Sequence, residues 1–158
     1  MTPATPEPVF TVADEGHIEI LLPLVQGFYG IFDYPFDASE MQAVLLPLLR
    51  DATLGCVLLI QIGPTPVGYL ILTFGYSLES RGRDAILDEF FVQEAYQGQG
   101  IGTVAIAHLL NHLAPQLGIK MIYLVVERSN LRACKFYSRL GFVAQDRILM
   151  AAQAADLL

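Results

Sequence analysis

Residues 85–103 read AILDEFFVQEAYQGQGIGT, and this stretch divides into strand, glycine loop and helix start. Ile86 to Val92 is apolar and aromatic with two adjacent carboxylates, Asp88 and Glu89; Gly98, Gly100 and Gly102 follow at alternate positions; a helical apolar pattern begins at Ile101. Glycines let the backbone close around an anion, and the helix that follows adds the positive end of its dipole. A phosphate-binding loop is the expectation, with the chemistry beside it.

The spacing separates the phosphate-binding loops. A Walker loop needs Lys and then Ser or Thr after its last glycine, but Ile101 follows Gly100 and Thr103 follows Gly102. A dinucleotide fingerprint wants GxGxxG where residues 98–103 give GxGxGT, although Glu127 falls near the place of a ribose-binding acid. Only 31 residues follow Glu127, which leaves no room for the remaining βα units of a doubly wound sheet.

Gln97-Gly98-Gln99-Gly100-Ile101-Gly102 instead matches Q/R-x-x-G-x-G/A, and Asn130, Ala133, Phe136-Tyr137 and Gly141-Phe142 match N-x-x-A-x-x-F-Y-x-x-x-G-F. Together with Leu87-Asp88-Glu89-Phe90-Phe91-Val92, these residues resemble the GNAT N-acetyltransferase superfamily, and within it the small-amine enzymes of the spermidine/spermine type. The resemblance implies a single α/β domain over residues 1–158. Its mixed, mostly antiparallel sheet would have about seven strands flanked by about four helices, the fourth and fifth strands splaying to admit a pantetheine arm. It also implies acetyl-CoA as co-substrate, held by Phe91, Val92, Gln97, Gly98, Gln99, Gly100, Ile101, Gly102, Thr103, Asn130 and Ala133, with no metal.

Composition agrees. A chain of 158 residues supports one domain with a sizeable core, and 54% hydrophobic against 16% charged residues excludes disorder. The apolar excess is also compatible with a homodimer surface. A formal charge of −7 repels nucleic acid and anionic membranes and suits cationic small molecules. Two cysteines, Cys56 and Cys134, and no secretory-type opening point to a reducing cytoplasm. The longest apolar runs fall short of the roughly 18 residues that a membrane span needs.

In chain order, 1–8 is a loose lead-in and Val9 to Val12 a short strand. A helix opens at Asp14 and Glu15, weakened at its end by Gly27 and Gly30, and a second covers Ser39 to Arg50. Leu54 to Ile62 and Val67 to Tyr76 form a hairpin across Gly63-Pro64-Thr65-Pro66. After the 85–92 strand come a helix over Ile101 to Leu117, a strand over Met121 to Glu127 and a helix over Leu131 to Leu140. Strands near Phe142 to Gln145 and Arg147 to Met150 close the order.

Acetyl transfer to an amine moves two protons. A primary alkylamine has a pKa near about 10, arrives as an ammonium and must lose a proton before it attacks. Asp88 and Glu89 are the candidate acids, yet in a regular strand neighbours point to opposite faces, so only a bulge brings both to one site. The resemblance places the proton acceptor at Asp88, acting through water, and leaves Glu89 to attract the amine; neither is assigned. Tyr137 is the candidate donor to the thiolate leaving group, because a phenol stays protonated at neutral pH. Asn130, seven residues earlier, shares its helix face, or serves only as the helix cap. Gln97 brings no charge where many relatives carry arginine, so backbone N–H groups must take more of the phosphate.

The acceptor side is expected around Phe32, Asp33 and Tyr34, within an aromatic bunch that includes Phe28, Tyr29 and Phe36, with Tyr76 and Glu79 at the rim. The acceptor would be a small cationic amine, with peptide or protein amines, or a non-catalytic acyl-CoA sensor, as alternatives. His108 and His112 stand four apart without the glutamate of HExxH, Leu109 being in its place, and the stripe of Ile106, Leu109, Leu110 and Leu113 sets them on the wet face.

Overall fold

The computed structural model describes residues 4 and 6–155, so part of the 1–8 lead-in lies outside the described residues. The chain divides into two compact units that meet in sequence between Val125 and Val126.

The first unit holds a five-stranded sheet in the order β1 (Val9–Val12), β2 (Gly55–Ile62), β3 (Thr65–Ser77), β4 (Gly82–Val92) and β5 (Met121–Tyr123). The first four strands are antiparallel neighbours, and β5 joins β4 in parallel. β2 and β3 turn through Gly63, whose φ of +56° is a left-handed conformation that suits glycine. They are buried because apolar residues occupy both faces in unbroken runs.

On one face lie α1 (Ile18–Ile31) and α2 (Ala38–Arg50). Leu21, Leu24 and Val25 of α1 and Leu45 of α2 pack on Val57, Leu59, Tyr69, Ile71 and Phe91. The spacing of those α1 residues is the helical period, and it fixes which side of α1 meets the sheet. Gly27 does not weaken α1, as its composition suggests. A Cβ there would sit 3.0 Å from the Phe91 ring, so the glycine lets the helix close on β4, and the helix runs on to Ile31. α2 starts at Asp37, whose carboxylate accepts the Glu40 N–H at 2.9 Å, and Arg50 near its end is paired with Glu15 at 2.7 Å.

On the other face, α3 (Ile101–His108) sets Ile101 and Ala105 against Ile60, Val67 and Val92. It continues through a π-helical turn, Leu109–Leu113, into α4 (Ala114–Gln116). His112 is exposed, but His108 is half-buried and stacks on Phe10 with ring centroids 4.4 Å apart, so only one of the two histidines keeps to the wet face.

The pairing of β4 with β5 stops at Ile86 and Tyr123, and beyond it Leu87 to Val92 has no strand on that edge among the described residues. β5 is shorter than its apolar pattern suggests, ending at Tyr123 rather than Glu127.

The second unit contains α5 (Leu131–Arg139). The strands expected at 142–145 and 147–150 are absent, and among the described residues five strands stand in place of about seven. Val143, Ile148, Leu149 and Met150 are each more than three-quarters exposed. A short apolar run without a neighbouring strand to pair its backbone groups does not make a strand.

Candidate active site

The site is built on an irregularity in β4. Ile71 pairs with Glu89 and Leu72 with Leu87, which leaves Asp88 as the extra residue of a bulge. The bulge removes the alternation that would send neighbouring side chains to opposite faces. Asp88 and Glu89 consequently line one cavity of about 290 Å³, with Ile71 and Thr73 of β3. Its remaining wall comes from Val25 and Tyr29 of α1 and Met41, Val44, Leu45 and Leu48 of α2.

Glu89 is held at both oxygens. The Tyr69 hydroxyl donates to Oε1 at 2.7 Å and the Tyr29 hydroxyl to Oε2 at 3.2 Å. Tyr69 is fully buried, so its hydroxyl needs an acceptor, and Glu89 is that acceptor. Burial pushes the Glu89 carboxyl above the ordinary glutamate value and the neighbouring Asp88 charge adds to this, while the two tyrosine bonds pull the other way. Burial, and then the charge of Glu89, pushes Tyr29 up to about 12 and raises Tyr69 as well, so both hydroxyls remain donors at neutral pH. Asp88, in contrast, is exposed. Two adjacent carboxylates thus meet different surroundings, one fixed and partly dry and the other wet.

The aromatic bunch leads outward from this pair. Tyr29 packs edge-on against Phe28, Tyr34 and Phe36, and Phe32 stacks on Tyr34 at 5.4 Å between centroids. Phe32 and Tyr34 are exposed beyond the end of α1, and Asp33 between them has a φ of +55°. None of Phe32, Asp33 and Tyr34 lines the cavity, nor do Tyr76 and Glu79. Tyr76, 80% exposed, lies near the far end of β3, and Glu79 is in the following turn with its N–H on Ser77 Oγ. Tyr69, Met41, Val44 and Thr73 are cavity or support residues that the sequence reading passed over. A tyrosine inside the apolar run of β3 was the available signal, since its hydroxyl requires a polar partner on a neighbouring strand.

The glycine loop has the backbone that its composition implies. Gly98 and Gly100 adopt φ of +74° and +82°, and a Cβ at either would meet nothing within 4 Å, so open space borders the loop. The first bond of α3 runs from Val104 N–H to Gly100 O at 3.1 Å, leaving the N–H groups of Ile101, Gly102 and Thr103 without intrahelical partners. Such a turn fits an anionic group. Gln97 turns back, its Nε2 donating to Val92 O at 2.8 Å, and Gln99 Nε2 donates to Ala95 O at 3.2 Å. Both side chains brace the loop. Phe91 is buried against α1, and Val92 packs on Ile101 and Ala105, so both side chains belong to the core.

Within the second unit, Asn130 caps α5, its Oδ1 accepting the Ala133 N–H at 3.1 Å. Tyr137 is half-buried between Phe136 and Phe142, and burial pushes its hydroxyl up to about 12. Gly141, at a φ of +98°, ends the helix, and the Phe142 N–H returns to Tyr137 O at 3.1 Å. The F-Y-x-x-x-G-F pattern is thus a helix end whose aromatic residues pack on one another.

The chain is similar to known proteins. The family described as "Acetyltransferase (GNAT) family" matches residues 21–142. A spermine/spermidine N(1)-acetyltransferase of Bacillus subtilis (strain 168) is 37% identical over 67 residues, 42% of this chain and 44% of that protein. A thialysine N-epsilon-acetyltransferase of Bos taurus is 38% identical over 84 residues, 53% of this chain and 47% of that protein. The matches thus span less than half the length of these curated relatives. The solved structure of an aminoglycoside N-acetyltransferase in complex with CoA superposes with a TM-score of 0.80 at 13% identity, covering 98% of this chain and 100% of the other. The match over 21–142, more than half of the chain, establishes that this chain belongs to the acetyltransferase (GNAT) family.

Proposed function

We propose that the chain is an acetyl-CoA-dependent N-acetyltransferase that modifies a small cationic primary amine. The observation that carries this reading is the bulge at Asp88, which turns two adjacent carboxylates into one amine-sized cavity. The named relatives, which act on spermine, spermidine and thialysine, support an amine acceptor. The glycine loop fits the pyrophosphate of acetyl-CoA through backbone N–H groups.

Asp88 attracts the ammonium at the cavity mouth and Glu89 accepts its proton, either directly or through a water. Glu89 is better suited to this than Asp88 because its raised affinity for a proton narrows the gap to the amine. The amine nitrogen then attacks the thioester carbonyl carbon, the C–N bond forms, and the C–S bond breaks. Tyr137, protonated at neutral pH, is assigned the proton that the thiolate takes up. That assignment rests on the family motif.

The test is release of CoA thiol from acetyl-CoA over a panel of polyamines, alkylamines, lysine analogues and aminoglycosides, with Tyr137→Phe alongside. Turnover with one amine class, lowered in Tyr137→Phe with acetyl-CoA binding retained, is the expected result. Binding of acetyl-CoA without turnover of any amine would replace the enzyme with a sensor.

A further inference from the structure

The wall of the cavity narrows the acceptor class, an inference that rests on the acetyltransferase reading above. Both carboxylates sit together, adjacent on β4. Everything else that lines the space is apolar or uncharged: Val25, Met41, Val44, Leu45, Leu48 and Ile71, with Tyr29 and Thr73. A polyamine laid along the inner wall would bring its second ammonium against Met41, Leu45 and Leu48, which are half-buried or buried and supply no anion, and a charge that loses water there without a partner is costly. An uncharged carbon chain or ring in the same place would instead leave water favourably. We propose that the preferred acceptor is a primary monoamine with an apolar body, its ammonium at Asp88 and Glu89 and its body along Met41, Val44 and Leu48.

Val44 controls this choice. It lines the cavity yet is 69% exposed on α2, so a charged side chain is accepted there without being buried. Val44→Asp supplies the missing second anion.

The experiment measures binding by calorimetry and kcat/KM with acetyl-CoA for n-butylamine, n-pentylamine and n-hexylamine, and for the diamines of the same chain lengths. In the native protein each added methylene of the monoamine is expected to improve affinity and kcat/KM about fourfold until the cavity is filled. Each monoamine should exceed the diamine of equal length by about tenfold or more. Val44→Asp is expected to shrink or reverse that ratio with an unchanged melting temperature. A native preference for the diamines, or a ratio that Val44→Asp leaves unmoved, would overturn the proposal. Amine binding in the monoamine order without turnover would uphold this assignment of the cavity and overturn the catalytic reading. The absence of binding by every amine would overturn both.

Discussion

The hydroxyl of Tyr69 donates to Oε1 of Glu89 at 2.7 Å, across two strands and at a point where Tyr69 itself is fully buried. This bond decides where the candidate base sits. The bulge at Asp88 turns the carboxylates toward the cavity, and Tyr69 stops Glu89 from swinging out of it. Tyr69→Phe removes the donor and leaves a partly buried carboxylate oxygen without its partner. The expected cost is about 1–3 kcal/mol of stability, read as a lower melting temperature. Because this bond holds the Glu89 pKa down against burial, the acid limb of the pH–rate profile should move further upward in Tyr69→Phe. A fall in stability with no movement of that limb would make Tyr69 a packing residue only.

Asp88 and Glu89 should separate kinetically. Glu89→Gln removes the proton acceptor and is expected to lower kcat by about 10²-fold or more. Asp88→Asn removes attraction felt equally by bound amine and transition state, and should mainly raise the amine KM. Steady-state kinetics on the two variants check this. The reverse pattern would give the base to Asp88.

Glu89 also makes stability depend on pH. Its folded pKa lies above the unfolded value, so the native chain holds a proton that the unfolded chain has released in the interval between them. The stabilising contribution is present below the ordinary carboxylate pKa and is lost as pH rises through the shifted one. Melting temperatures across pH 4 to about 7 should therefore fall more in the native protein than in Glu89→Gln. An identical pH dependence in the two would count against a raised Glu89.

Two glycines should respond unequally to alanine. At Gly100 a Cβ meets open space and only the φ of +82° is strained, so Gly100→Ala should cost about 1–2 kcal/mol and weaken acetyl-CoA binding by distorting the loop. At Gly68 a Cβ would clash with the Phe91 carbonyl oxygen, and β3 and β4 would have to part. Gly68→Ala should lose clearly more stability than Gly100→Ala in urea unfolding. Equal losses would mean that the sheet absorbs the clash.

Much of this arrangement was legible in the chain. The glycine loop, Leu21 and Val25 on the inner face of α1, and the β2–β3 turn at Gly63 are local signals written within a few residues, and the structure follows them. The Asp88 bulge was not readable, because it is a matter of register against β3 and a strand's own residues do not say which partner residue they oppose. The Tyr69–Glu89 bond was hidden for the same reason: 20 residues separate its ends, and only strand pairing brings them together. The apolar runs at 142–144 and 148–150 misled because they name no partner strand, and the side chains at 143 and 148–150 are exposed. The exposed Phe32, Tyr34 and Tyr76 looked like a pocket rim by composition, whereas the cavity wall is drawn from the inner faces of α1 and α2.

The most direct measurement is the single-turnover rate of amide formation from acetyl-CoA and n-hexylamine as a function of pH, for the native protein and for Glu89→Gln. The native rate should rise with pH along an acid limb centred above the ordinary glutamate range, and Glu89→Gln should lose that limb together with most of the rate while still binding both substrates. An acid limb that persists unchanged in Glu89→Gln, at native rate, would contradict the assignment of proton transfer to this carboxylate.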